Sequence, residues 1–502
     1  DRSSAASDVY KRQLYKYTKR KNMKEHLLKN TGSLKDSNLA KTLIHFVGIG
    51  GVGMSGIAEI LHNLGYKVQG SDKKNNKNCT RLRKRGIKVV VGHNRKNTKS
   101  ATLLVRSSAV EIDNIEVKTA LRNKIPVIKR SEMLSELIGL KNSIVISGSH
   151  GKTTTTSLIS LLMDKAKLDP TVINGGVINS YGTTAKLGKG NWIVVEGDES
   201  DGSFKNLPVT IAVVTNIDKE HLDYYRSVRS LRESFISFVE STPFYGLAAI
   251  CIDHPETRRV LKKITDKRVL TYGLRKDANF YPENIRMEKE KSIFDVVMNN
   301  RQGGKSMFLK KVILNMPGKH NIINSLAAIV IGYFLKVPKR IMRKSFEKFS
   351  GIERRLTLVD VVKNNIKIFD DYAHHPTEIK CALETLKKIY KKSSIISVFQ
   401  PHRYSRTKIL FDDFCKSLNL ADKVIISDIY AAGEKKISGI NKEKLKYGIE
   451  KIGHKNVSTL SSPNNLSALI KKEANAGDII IFLGAGSISA WPNKLAKQLK
   501  TA

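Results

Sequence analysis

The chain has 502 residues, 40% hydrophobic and 27% charged, a globular composition too long for one core and pointing to roughly three domains. Its longest apolar run, LAAIVIGYFL at 326–335, is too short for a membrane span, and Cys79, Cys251, Cys381 and Cys415 form no CxxC pair, so a disulfide framework or zinc ribbon is excluded and a reducing cytoplasm fits. The 88 Lys and Arg against 46 Asp and Glu give +42, but the lysines run along the whole chain without an RNP-type or zinc-finger pattern, which reads as solvated surface with no specific nucleic-acid partner and no membrane partner.

Residues 1–41 form a basic N-terminal segment; 1–22 carry neither an apolar signal core nor a helical or strand period and read as a leader outside the fold, with Met23 as a natural start. From Leu43 the pattern is strand (LIHFV), glycine turn (GIGGVG) and helix (MSGIAEILHNLG), followed by strands KVQGSD, KVVVG, ATLLVRSSAV and IPVIKR. This predicts a Rossmann-like domain over 42–138. A second series, SIVISGSHGKTTTTSLISLLMDKA, NWIVVEGDESD and VTIAVVTNIDKEHLDYY, predicts a P-loop ATPase-like domain over 139–348. The strands IKIFDDYAHHPTE, SIISVFQPHRYSRT, KVIISDIYAAG and DIIIFLGAGSIS predict a third, Rossmann-like domain over 349–502. The fold class is therefore α/β in three domains.

Two glycine turns have the form of phosphate cradles, in which backbone N–H groups and a helix N-terminus meet an anion. In the first, Gly48, Gly50 and Gly53 satisfy GxGxxG, with Asp72 at the spacing of a ribose-binding acid. Read alone this suggests NAD, yet the geometry selects a diphosphate and leaves the base open. The second, Gly148-Ser149-His150-Gly151-Lys152-Thr153-Thr154, is a short form of the P-loop, with Ile146 where the first glycine is usual. Lysine adds charge to the anion hole and Thr153 offers magnesium a hydroxyl, so a nucleoside triphosphate is expected.

Glu196, ending the strand WIVVE, stands where a magnesium ligand belongs, whereas His221 by itself reads as an ordinary loop histidine. In the third domain, Asp370 and Asp371 precede His374-His375-Pro376, with Pro376 opening a helix, and His402, Arg403 and Arg406 follow a buried strand. Their guanidinium forks suit carboxylates or phosphates. A nicotinamide oxidoreductase and a basic nucleic-acid-binding protein remain as rival classes, but neither accounts for Lys152 together with Glu196.

Eight ordered motifs, GIGGVGMSGIAEIL, GSHGKTTTT, EGDESDGSF, TNIDKEHLDYY, GKHNIINSLAA, GIERRL, DDYAHHPTEI and FQPHRYSRT, resemble the Mur ligase family, the ATP-dependent amide-forming enzymes of peptidoglycan precursor synthesis. The resemblance runs from about residue 42 to the end. It implies ATP and Mg2+ as cofactors, UDP-N-acetylmuramate and L-alanine as substrates, with a murein tripeptide as the alternative acceptor, and a monomer or weak dimer. It places the UDP-sugar at Gly48, Gly50, Gly51, Gly53, Ser55, Asp72 and Ser107, and the ATP phosphates at Gly148 to Thr154 with Lys152. One magnesium falls to Thr153 and Glu196 and a second to Glu196 with His221. The resemblance also implies that Asn324 contacts adenine, that Arg355 and Asp371 close over the nucleotide, and that His375, His402, Arg403 and Arg406 face the muramoyl carboxylate and the incoming amino acid.

Overall fold

The computed structural model describes residues 42–288, 291–299 and 304–500; the basic segment 1–41 lies outside the described residues. The described residues divide into two compact units, one within 42–177, 181–280 and 327–341 and the other within 178–180, 281–326 and 342–500. Residues 281–326 and 342–348, assigned from the sequence to the central domain, thus cluster with the C-terminal part of the chain.

The first unit holds two sheets. Strands β1 (Leu43–Val47), β2 (Lys67–Asp72), β3 (Lys88–Val91), β4 (Leu103–Arg106) and β5 (Val127–Lys129) form a parallel sheet in the order β3-β2-β1-β4-β5. LIHFV is apolar nearly throughout because a central parallel strand is covered on both faces. The helix Val52–Asn63 follows β1, and Gly65 at φ +95° ends that turn in the left-handed region that glycine adopts freely. The second sheet contains β6 (Asn142–Ser147), β7 (Thr171–Ile178), β8 (Thr183–Lys186), β9 (Trp192–Glu196), β10 (Ile211–Val214), β11 (Leu247–Cys251) and β12 (Val269–Tyr272), in the order β12-β11-β10-β6-β9-β7-β8. Strands β9, β6 and β10 lie side by side and parallel, so the loops after all three open at one edge.

One hydrophobic cluster joins the two sheets: Ile44, Ile57 and Leu134 from the first domain belong with Ile173, Ala185 and Val195 from the second. Beside it, Glu59, only 1% exposed, takes Arg85 Nη1 at 2.8 Å and the Thr183 hydroxyl at 3.3 Å. Arg81 donates to Ser55 Oγ at 3.2 Å and to Thr184 Oγ1 at 3.3 Å. The buried charge of Glu59 is therefore compensated from both domains.

A second buried acid organises the first sheet. Glu116 accepts from Ser71 Oγ at 2.5 Å, Asn97 Nδ2 at 2.5 Å and Asn94 N at 3.0 Å, and lies 3.2 Å from His45 Nε2. Burial opposes its charge, but His45, Ser71, Asn97 and Asn94 outweigh burial and bring its pKa from the ordinary 4.5 down to about 2. The folded state thus favours the carboxylate, and the stabilisation, about 3 kcal/mol, is full above pH 4.5 and lost as pH falls through 2. Denaturant titrations across that window should show the loss, and Glu116→Gln should flatten it.

In the second unit, β13 (Phe280–Glu288), β14 (Lys291–Asn299) and β15 (Lys305–Leu314) are consecutive neighbours, β14 and β15 antiparallel. The third sheet has β16 (Thr357–Val362), β17 (Ile366–Asp371), β18 (Ile395–Phe399), β19 (Lys423–Ile426), β20 (Val457–Thr459) and β21 (Ile479–Leu483), in the order β16-β17-β21-β18-β19-β20. All neighbours are parallel except β16, which is antiparallel to β17. Among the described residues no helix is long and apolar enough to cross a membrane.

Candidate active site

The first glycine turn closes between β1 and the helix Val52–Asn63. Gly48, at φ +81°, and Ile49 donate to the Ser71 carbonyl at 2.8 and 3.0 Å. A Cβ on Gly48 would meet Ser107 Cβ at 3.1 Å, and one on Gly53 would meet Arg130 Nη1 at 2.8 Å, so both glycines serve close approach. Gly51 is the N-cap, and Ser55 Oγ donates back to Val52 O at 2.9 Å. Asp72, read from the sequence as a ribose contact, braces this turn: its carboxylate accepts from Gly50 N at 2.9 Å and Lys74 N at 3.2 Å.

The second turn sits between β6 and the helix Lys152–Lys165. Gly148 has φ +140° and Gly151 φ +80°, and a Cβ on Gly148 would fall 2.1 Å from Thr215 Oγ1. The loop after β10 holds it in place: Ser149 N donates to Asn216 O at 3.1 Å, His150 N to Asn216 Oδ1 at 2.9 Å, and Thr215 Oγ1 to His150 O at 2.7 Å. Asp218 N donates to Ser149 Oγ at 2.8 Å, and Asp218 Oδ2 lies 3.2 Å from His150 Nε2. Two strand-end loops thus fix one glycine turn at the helix N-terminus.

Lys152 opens the helix. Its ammonium donates to Gly148 O at 2.5 Å, Ser149 O at 3.2 Å and Glu199 Oε1 at 2.9 Å. Burial works against that charge, but Glu199, Glu196 and Glu220 hold the pKa above its ordinary value, so Lys152 is a fixed cation. Thr153 Oγ1 donates to Glu196 Oε2 at 3.0 Å, and Gly175 N reaches the same oxygen at 2.8 Å; Thr154 is buried behind them.

Glu199, Glu220 and His221 each offer one ligand atom, and the three atoms lie within 4.8 Å of one another. His221 adopts φ +56°, a conformation uncommon for a side-chain-bearing residue, with Nε2 3.5 Å from Glu199 Oε1. Burial would lower its pKa, yet Glu199 and then Glu220 raise it. Glu199 and Glu220 were missed in the sequence although the signal was present, since each lies in a strand-end loop already singled out for its acids. Oxygen-rich donors around the Thr153–Glu196 pair fit a divalent cation of magnesium type.

In the second unit, Asp371 ends β17 and its carboxylate accepts from Leu356 N at 2.7 Å and Ala373 N at 2.8 Å. Burial, only partly offset by Arg355, raises its pKa to about 6. Arg355 lies 5.5 Å from the Tyr372 ring centroid and 3.7 Å from Glu378. Asn324 is buried on the helix Lys319–Phe334, and His375 caps the helix Pro376–Ile389 by accepting from Thr377 N at 3.3 Å. After β18, His402 stacks on Tyr430 with centroids 5.5 Å apart. Its pKa is lowered to about 3 by burial, then by His374, Arg406 and Arg403, which keeps the ring neutral among cations. The sequence-predicted groups therefore gather within each unit: Lys152, Thr153 and Glu196 at one sheet edge with His221 beside Glu199, and, in the other, His402 in the loop after β18, Arg403 as the N-cap of the helix Tyr404–Ile409 and Arg406 on that helix.

Three family models match in succession: the Mur ligase family catalytic domain over residues 43–142, the Mur ligase middle domain over 146–332, and the Mur ligase glutamate ligase domain over 354–486. The chain belongs to the Mur ligase family. Among Mur ligases, the UDP-N-acetylmuramate–L-alanine ligase of Parvibaculum lavamentivorans is 49% identical over 91% of this chain and 92% of its own. That of a Chelativorans species is 47% identical over 91% and 98%. The UDP-N-acetylmuramate-alanine ligase structure from Thermotoga maritima superposes with a TM-score of 0.78 at 27% identity, covering 91% of this chain and 99% of that one. A murein peptide ligase from Psychrobacter arcticus, at TM-score 0.69 and 23% identity over 92% and 99%, shares the Mur ligase fold.

Proposed function

We propose that this Mur ligase joins L-alanine to the lactyl carboxylate of UDP-N-acetylmuramate, with ATP converted to ADP and phosphate. The relatives that match nearly end to end carry that activity in their names. The observation that carries the chemistry is the Lys152 ammonium held among Glu196, Glu199 and Glu220 at the strand edge that also bears the Thr153–Glu196 pair. A separate glycine turn at Gly48 leaves the UDP-sugar its own cradle, which is why one chain needs two.

A carboxylate is a poor acyl donor. Transfer of the ATP γ-phosphoryl to the carboxylate oxygen gives an acyl phosphate; the alanine amine then attacks the carbonyl, loses a proton, and phosphate leaves. Lys152 would hold the phosphates from the helix N-terminus, and Gly148 to Thr154 would supply N–H donors. Thr153 with Glu196 would hold one magnesium and Glu196 with His221 a second, Glu199 and Glu220 completing the acidic surround. Bound there, magnesium would neutralise charge building on the phosphate oxygens. Asn324, Arg355 and Asp371 are assigned to the nucleotide, and His375, His402, Arg403 and Arg406 to substrate carboxylates. The free cysteines suit a cytoplasmic enzyme.

The test is ADP release with UDP-N-acetylmuramate and a panel of L-alanine, glycine, L-serine and murein tripeptide. L-alanine is expected to give the highest kcat/KM; preference for the tripeptide would replace the acceptor assignment, and tight NAD binding without a uridine-nucleotide response would remove the first cradle's. Arg403→Ala and Arg406→Ala are expected to leave nucleotide binding intact while cutting amide formation by about 10- to 100-fold, the loss of a charge-assisted contact worth about 1.5–3 kcal/mol. Lysine should recover only part, since it restores charge without the planar fork. Titrations of ATP and L-alanine separate the two sites.

A further inference from the structure

The third sheet contains a glycine loop that the chemistry above leaves without a role. After β21 comes Gly484-Ala485-Gly486, then the short helical turn Ser487–Ala490 and the helix Trp491–Lys500. Strand, glycines and helix repeat the plan of the two cradles. Here, however, the nest is filled by the chain's own side chain. Gln400, 5% exposed, accepts the Ile488 N–H on Oε1 at 3.0 Å and donates from Nε2 to Ser487 Oγ at 3.0 Å. A Cβ on Gly486 would lie 2.6 Å from that Oε1, and one on Gly484, at φ +152°, would lie 2.9 Å from Gln400 O. The glycines are thus shaped around Gln400 as the other two loops are shaped for an anion.

Gln400 also begins the loop that leads through the N-cap Arg403 into the helix Tyr404–Ile409, which bears Arg406. Its N–H donates to Leu483 O at 3.0 Å. Two residues on, His402 forms a bridge with Tyr430; Tyr430 N donates to Pro401 O and Arg403 N to Tyr430 O, both at 2.8 Å. Arg403 sits at φ +73°, a backbone strain that surrounding hydrogen bonds must maintain. Farther along, Glu434 receives Ser405 N at 3.0 Å and Ser405 Oγ at 2.6 Å. The arginine segment is therefore held at its start by Gln400, along its loop by Tyr430 and at the first turn of its helix by Glu434.

We propose that the third glycine loop is a cradle filled from within, in which the Gln400 amide takes the place of an anion and makes Gln400 a positioning residue for Arg403 and Arg406. The inference rests on the reading of those arginines as carboxylate contacts. Gln400→Met keeps length and volume but loses both hydrogen bonds; Gln400→Glu keeps the acceptor for Ile488 N–H while Ser487 supplies the second hydrogen.

Ligation rates, substrate dependences, nucleotide affinity and melting temperature are measured in full-length wild type, both Gln400 variants and Arg403→Ala. Gln400→Met is expected to lose about 10- to 100-fold in amide formation, as for a small displacement of a positioned group, with nucleotide affinity unchanged. Gln400→Glu should recover most of that loss. Normal kinetics in Gln400→Met while Arg403→Ala is impaired, or a Gln400→Glu variant as impaired as Gln400→Met, would overturn the proposal. An unimpaired Arg403→Ala would instead remove the reading of the arginines on which it rests. If Gln400→Met does not fold, Gly486→Ala replaces it, because its methyl group enters the same contact; wild-type rates there would equally overturn the assignment.

Discussion

Lys152→Ala is expected to abolish ligation, with a loss of about a thousandfold or more, as for removal of a preorganised charge from a dry site. The ammonium is the fixed cation of the second glycine turn, joined to Gly148 O, Ser149 O and Glu199. The same change leaves Glu199, 1% exposed, without its nearest cation, and breaking a buried pair from one side costs about 3–5 kcal/mol. Lower stability should therefore accompany lost activity. Lys152→Met combined with Glu199→Gln separates the effects: melting temperature should return toward wild type while ADP formation stays absent. Near-normal turnover in either variant would make the second glycine turn a structural element only.

The second large effect is expected at a residue with no reactive group. Gly175 lies on β7, and a Cβ there would stand 2.5 Å from Glu196 Oε2 and 2.8 Å from the carboxylate carbon. Gly175→Ala should push Glu196 away from Thr153 and remove the N–H contact that aims it. Because the backbone is in neither a special turn nor a left-handed conformation, the fold should survive. Turnover should fall about a hundredfold, the scale of a misplaced catalytic group, with a higher magnesium concentration needed for half-maximal rate. Glu196→Gln should share the shifted magnesium dependence. An unchanged magnesium titration in Gly175→Ala would show that Glu196 is aimed by something else.

Local order made much of this legible in the sequence. The strand-turn-helix units at Gly48 and Gly148 could be read because the glycines, the apolar strand and the following helix lie within twenty-odd residues of one another. Pro376 as the opening residue of its helix was readable for the same reason. Contacts made by sheet pairing were not. Gly175 reaches Glu196 only because β7 lies parallel to β9, and nothing in TVINGGVI announces that neighbour. Asp72 was singled out by its spacing, but its acceptance of the Gly50 N–H, made possible by the pairing of β1 with β2, could not be read there. Gln400 was not singled out in the sequence; that it fills the glycine loop 84 to 86 positions later depends on β18 and β21 being adjacent. Spacing identifies chemistry when the partners are near in sequence, and sheet order decides it otherwise.

The shared core of the first two sheets also bears on how such a chain can be inherited. Glu59 is balanced by Arg85 on one side and Thr183 on the other, and Gly56 admits Ala185, whose Cβ would lie 3.2 Å from a Cβ placed there. Recombination that exchanged residues 42–138 alone between relatives would deliver a carboxylate and a bare helix face to a strand they had not evolved against. The segment Thr183-Thr184-Ala185 must travel with the domain it touches, so the smallest heritable block is larger than the domain, and its boundary does not follow the linker.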